Sequence, residues 1–319
     1  MKIAILGEAL IDFKSTGPLA FQGFIGGSSL NVATATARLG QATTFLTQIS
    51  SDLFGLSLRE HVTKNGIDTS HVLESDAHST LAFVEERETP TGERQAHFSF
   101  MNSVAADTLY DPQPRPILPS NVKFMQFGSI SLLTDPTSTS ITEIIGKHRS
   151  SLNHNVTVVF DPNCRPALTP DLEGYKRKLR NWLRLAHVVK VSDQDLGWLE
   201  PDRALDDVAA DWIAQGPSIV IITRGEHGST LYRAGHDRLQ VPTPKVSVID
   251  TVGAGDTYTA GLMVALLEHG HERAEQLLTH PDQTWLEVMR FAAAAAAINC
   301  TRAGANPPTR AEVSGFQSS

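Results

Sequence analysis

Short runs rich in β-branched and apolar residues recur along this chain, and most give way to a glycine or a polar turn and then to a stretch of helical character. Residues 2–7, 43–49, 123–128, 156–161, 187–192 and 218–223 are such runs. Runs this short and this apolar suit strands buried on both faces, and strands that alternate with helices pair in parallel through crossover connections. The predicted fold is a three-layer α/β/α sandwich with a mostly parallel central sheet. The 319 residues are enough to bury a core of that size. One domain is expected over residues 1–312, with residues 313–319 as a frayed tail. Two segments break the alternation. Residues 13–25 and 79–106 are extended and β-rich, with a turn expected at Thr89-Pro90-Thr91-Gly92. They predict a small β lid, or else a plain edge hairpin with no part in closure.

The chemistry is concentrated in residues 250–270. There Gly253-Ala254-Gly255 leads through Asp256 into an apolar helix that stops near Gly270. Glycines let the backbone turn sharply and approach a ligand. The first turn of a helix leaves N–H groups unpaired at the positive end of the helix dipole, which suits an anion such as a phosphate. Asp256 sets a carboxylate at the rim of that anion hole. A base beside an anion hole is what phosphoryl transfer to an alcohol requires. The competing reading makes Asp256 a helix cap.

The net charge of −8 leaves no global basic field, so neither nucleic acid nor an anionic membrane is an expected partner. Cys164 and Cys300 lie far apart and show no zinc-type spacing. The first apolar run is too short for a signal peptide, and no run reaches the length of a transmembrane helix, so a cytoplasmic protein is expected. Neither a Walker A string nor Gly-x-Gly-x-x-Gly occurs, which removes the P-loop and dinucleotide fingerprints.

Several stretches, in order, resemble the ribokinase-like (PfkB) carbohydrate kinases, and fructokinases most of all. They are Gly7-Glu8-Ala9-Leu10-Ile11-Asp12-Phe13, Gly26-Gly27-Ser28-Ser29-Leu30-Asn31-Val32-Ala33, Asp161-Pro162-Asn163-Cys164-Arg165, Thr223-Arg224-Gly225-Glu226-His227-Gly228, Asp250-Thr251-Val252-Gly253-Ala254-Gly255-Asp256-Thr257, and the helix end from Asn299 to Pro307. The resemblance implies a ribokinase-like sandwich whose lid covers the sugar and often joins a homodimer. It implies ATP and Mg²⁺, with K⁺ an open question. It makes Asp256 the base, the amides of Gly253, Ala254 and Gly255 the anion hole, and Arg165 a phosphate contact. Asp12, Gly27, Asn31 and Phe100 would hold the sugar. Lys190, Ser192, Thr223, Gly225, Gly228 and Asn299 would line the nucleotide site. Asp195 would order water around Mg²⁺, and Asp250 would bind a monovalent cation.

The chain departs from that pattern in places. Met101 stands where fructokinases and ketodeoxygluconate kinases often carry Arg, and Leu168-Thr169 where relatives have Leu-Trp. Ser192 and Asp195 replace an Asn-x-x-Glu pair, Ser192 or Asp193 being an ordinary helix cap in the plainer reading, and Pro308 stands where some relatives have Ser. The expected activity is phosphorylation of fructose to fructose 6-phosphate. The alternatives are a kinase of ribose, a nucleoside or 2-keto-3-deoxygluconate, or a sugar-binding regulator without catalysis.

Overall fold

A computed structural model describes residues 2–88, 94–149 and 156–317. The turn expected at Thr89-Pro90-Thr91-Gly92 lies outside the described residues. In chain order the elements are β1 (Ile3–Leu6), β2 (Leu10–Gly17), β3 (Ala20–Gly26), α1 (Ser28–Arg38), β4 (Thr43–Ser50), α2 (Leu53–Lys64), β5 (Val72–Ser75), β6 (Thr80–Glu88) and β7 (Arg94–Met101). They continue with β8 (Phe124–Gly128), α3 (Thr137–Arg149), β9 (Thr157–Asp161), α4 (Leu172–Leu185), β10 (Val188–Ser192), α5 (Asp193–Leu199), α6 (Leu205–Gln215) and β11 (Ile219–Thr223). Last come β12 (Ser229–Arg233), β13 (Leu239–Val241), α7 (Ala254–Glu268), α8 (Asp282–Cys300) and α9 (Arg310–Gln317).

Among the described residues nine strands form the main sheet, in the order β13-β12-β11-β10-β9-β8-β1-β4-β5. All neighbours from β11 to β5 pair in parallel, and β12 and β13 run antiparallel at one edge. The apolar runs of the sequence are apolar because both faces are covered. Ile219 and Ile221 enter one core layer with α1, α7 and α8, while Val220 and Ile222 enter the other with α3, α4 and α6. The strand order reverses at β1. The chain adds β4 and β5 on one side of it and then β8, β9, β10 and β11 on the other. At such a reversal the connections leave in opposite directions and open a crevice beyond the carboxyl ends of the strands.

A second sheet, in the order β3-β2-β6-β7, forms the lid. The two lid segments become one sheet because β2 pairs in parallel with β6, Leu10 opposite Thr80 and Lys14 opposite Val84. Phe13 stacks on Phe83 at 5.2 Å and meets Phe54 of α2 edge-on at 5.7 Å. Asp52 roots the lid in the main domain. Its carboxylate caps α2 through the Gly55 N–H and also accepts from the Ser79 N–H and hydroxyl, just before β6.

Two expectations need correction here, the start of the lid and the tail. The lid begins at Leu10 and not at residue 13, so Asp12 sits within a lid strand. Gly27 is the N-cap of α1 without any side-chain bond, and the hydroxyls of Ser28 and Ser29 donate to Asp256 and Glu8. The expected frayed tail is largely helix α9, with Val313 fully buried, the Arg310 guanidinium over the Phe291 ring at 4.8 Å and its fork bonded to Glu268.

Candidate active site

The crevice at the strand reversal is a cleft of about 2060 Å³. That is about twice the upper end of what a single small ligand usually occupies, so it has room for two reactants side by side. Its walls are the segments that follow β1, β9, β10 and β11, together with the lid and the start of α7. Asp12, Gly27, Asn31, Phe100, Arg165, Lys190, Ser192, Asp195, Thr223, Gly225, Gly228, Asp250 and the whole run Gly253 to Asp256 line it. The sequence scattered these residues over some two hundred and fifty positions, and the topology brings them to one cleft.

Gly253 is the N-cap of α7 and holds a left-handed conformation, with φ of 74°. An L side chain there would be strained, and a Cβ would come within 2.7 Å of the Ala305 Cβ. The turn places the start of α7 at the cleft, where the Ala254 N–H donates to the Thr251 carbonyl at 3.2 Å. Asp256 follows as the third helical residue and does not cap its own helix. Its carboxylate crosses to α1 and accepts from the Ser28 hydroxyl at 2.7 Å and the Asn31 amide at 2.8 Å, with Asn163 beyond at 3.4 Å. The capping reading of Asp256 therefore falls. Burial pushes the Asp256 carboxyl above the ordinary carboxylate range, against the pull of Ser28, Asn31 and Lys190. A carboxylate that is oriented by neutral donors and raised by burial is a better proton acceptor than one in water.

Asp12 is different. No hydrogen bond from the described residues reaches its carboxylate, and burial raises its pKa to about 6 despite the nearby charges of Arg165 and Lys14. Gly26 makes room for it, since a Cβ there would lie 2.1 Å from Asp12 Oδ2. The glycine pair thus accommodates the protein's own carboxylate. A mostly buried acceptor with no protein donor is suited to ligand hydroxyls.

Beneath the turn, Lys190 bonds Asp161 at 2.7 Å, and both are buried. Burial works against the lysine charge, but Asp161 outweighs it and raises its pKa above the usual value. The second oxygen of Asp161, Oδ1, has no partner among the described residues. Ser192 caps α5 through the Asp195 N–H and also bonds the Asp195 carboxylate, whose other oxygen accepts from the Cys164 N–H. Ser192 is thus a helix cap, as the plainer reading of the sequence had it. Arg165 is folded back on the carbonyl and side-chain oxygens of Asn163, the latter at 2.5 Å.

Two residues sit otherwise than the sequence suggested. Asn299 is fully buried outside the cleft, where its side chain donates to the Val252 carbonyl and accepts from the Asn306 N–H. It braces the loops behind the Gly253-Ala254-Gly255 turn. Asp250 bonds the Lys14 ammonium and the N–H groups of Val252 and Gly304. Burial raises the Asp250 carboxyl, but those partners outweigh it and hold it below the ordinary range. Sequence reasoning missed Ser28 and Asn163 as partners of Asp256. Asn163 has φ of 40°, a left-handed conformation Asn tolerates, and such strain gathers at functional sites. The Asp161-Pro162-Asn163 string was visible, but its backbone geometry was not.

A family model described as "pfkB family carbohydrate kinase" matches residues 1–312. The chain belongs to that family of kinases. A fructokinase of Rhizobium leguminosarum bv. trifolii is 31% identical over 268 residues, covering 83% of this kinase and 79% of the relative. The crystal structure of a fructokinase of Xylella fastidiosa with bound ATP superposes with a TM-score of 0.85 at 30% identity, covering 100% of this kinase and 99% of that chain. An aminoimidazole riboside kinase of Salmonella enterica, complexed with aminoimidazole riboside and an ATP analog, gives a TM-score of 0.83 at 25% identity and covers 99% of each chain. In this kinase no helix among the described residues is long and apolar enough to cross a membrane.

Proposed function

We propose that this kinase transfers the terminal phosphoryl group of ATP to a hydroxyl of a small sugar, and that the sugar is fructose, giving fructose 6-phosphate. The observation that carries the reading is the pair of unlike carboxylates in one cleft. Asp256 is oriented by Ser28 and Asn31 beside the anion-hole turn, and Asp12 has no donor among the described residues and faces the same space. Their environments assign their tasks. Asp12 accepts hydrogen bonds from sugar hydroxyls and fixes the acceptor. Asp256 takes the proton of the attacking hydroxyl as its oxygen bonds to phosphorus. The amides of Gly253, Ala254 and Gly255 stabilise charge on the transferring group, and Arg165 adds positive charge after swinging off Asn163. Most of the acceleration in such a transfer is positioning and electrostatics. The lid excludes water, the competing acceptor.

The residues present suit Mg²⁺ carried on the nucleotide phosphates. No cluster among the described residues forms a dedicated metal cage. The Asp195 carboxylate, which lines the cleft, is an oxygen group able to order the water shell that Mg²⁺ retains. When bound, the ion offsets phosphate charge.

The test is ADP release with ATP and Mg²⁺ across fructose, ribose, adenosine and ketodeoxygluconate, with Asp256→Asn as control. Fructose-dependent release that falls by ~10² or more in the variant, while fructose still binds, supports the reading. Release with a different acceptor moves the substrate and keeps the chemistry. Near-normal turnover by Asp256→Asn would defeat the assignment of the base.

A further inference from the structure

Lys14 lies on lid strand β2, and its ammonium bonds the Asp250 carboxylate across 236 positions of sequence. Both side chains are largely buried. A buried carboxylate calls for a counter-charge, and this chain brings its own. Asp250 governs the anion-hole turn through the backbone. Its Oδ1 accepts from the Val252 N–H at 3.1 Å, the Val252 carbonyl accepts from Asn299 at 2.8 Å, and the next residue is the left-handed Gly253. Asp250 Oδ2, the oxygen that meets Lys14, also accepts from the Gly304 N–H at 2.8 Å. A second lid contact falls on the same place. The Phe24 ring of β3 lies over Gly304, where a Cβ would come within 2.9 Å of it, and the Lys14 ammonium sits 5.7 Å from that ring. Adjacent strands of the lid therefore grip both loops that frame the phosphate-binding turn. Lys14 is two residues from Asp12, so both side chains project from one face of β2, and both line the cleft.

We propose that Lys14 is a positioning residue, a tethered cation that fastens the lid strand bearing Asp12 to the turn bearing the phosphate-binding amides, so that seating the acceptor and shaping the anion hole are one event. The proposal rests on the kinase reading above. It implies that the protein's own ammonium supplies the positive charge at Asp250, and that a free monovalent cation gains a place there only when Lys14 is removed.

The experiment compares wild type, Lys14→Met and Lys14→Arg in KCl and in choline chloride at matched ionic strength. In choline chloride Lys14→Met loses ~10-fold or more in kcat, in line with the sensitivity of aligned reactants to small displacements. KCl restores at least half of the loss, wild type is equal in both salts, and Lys14→Arg stays within a few-fold of wild type. Melting temperature gives an arm free of turnover, in which KCl raises that of Lys14→Met over choline chloride and leaves wild type unmoved. Equal kcat for Lys14→Met and wild type, or a loss that neither K⁺ nor Arg repairs, would overturn the proposal. Wild type inactive on every acceptor would count against the kinase reading instead, and the melting arm would still decide the clamp.

Discussion

Replacing Asp12 with Asn should stabilise the unliganded protein at neutral pH while destroying its use of the acceptor. The Asp12 carboxylate has no donor among the described residues, and burial lifts its pKa from 3.8 to about 6. The native state therefore holds this proton more tightly than the unfolded chain does. Its contribution is favourable below about pH 4, is lost as pH rises through about 6, and leaves a full penalty above about pH 7. A rise of that size corresponds to about 3 kcal/mol. The buried Asn amide keeps part of the desolvation cost, so ~1–2 kcal/mol of net stabilisation is expected at pH 7.5. Urea unfolding of both proteins at pH 7.5 and pH 5 measures it, and the advantage of Asp12→Asn should shrink at the lower pH. Acceptor-dependent ADP release by the variant should fall by ~10² or more, because a site built to receive ligand hydroxyls discriminates strongly when its acceptor is altered. Sugar hydroxyls bonded to Asp12 favour its ionised form, so acceptor affinity of the wild type should increase as pH rises through about 6. A variant less stable than wild type at pH 7.5, or one with unchanged acceptor kinetics, would refute this account of Asp12.

Gly253→Ala should lower kcat by ~10² by displacing the phosphate-binding amides, since it places a Cβ at a left-handed position against Ala305. Phosphoryl transfer by the purified variant checks this, and turnover within a few-fold of wild type would show that the turn tolerates the change. Lys190→Met should destabilise the fold by ~3–5 kcal/mol, because Asp161 would then be a buried charge with neither oxygen well paired. The urea midpoint reads it out, and an unchanged midpoint would mean that water already serves Asp161.

The sandwich was legible because its parallel strands are covered on both faces and so carry continuous apolar runs such as Ile219–Thr223. The edge strands β5 and β13, four and three residues long and partly exposed, carry no such run and left no signal. The anion-hole turn was legible for a local reason: glycine spacing and a following helix lie within a few residues of one another. The partners of Asp256 were not. Nothing near Asp256 in sequence shows that Ser28 will forgo capping its own helix to bond a carboxylate 228 positions away. Asn299 misled for the converse reason. A polar residue next to a nucleotide-like turn reads as a ligand contact, while its actual partners are backbone groups of the flanking loops. Lys14 gave no warning either, since a lysine in an extended segment is most often solvated, and only the closing of β2 over the Asp250 loop gives it a partner.

The bond from α1 to the Asp256 carboxylate has a consequence for the life of the polypeptide. The glycine turn and α7 lie late in the chain, and the side chains that orient Asp256 lie within its first tenth. A chain that lacks either end cannot form this arrangement. The orientation of Asp256 is a property of the closed chain, and it is lost with the docking of α1 whatever remains of the sheet.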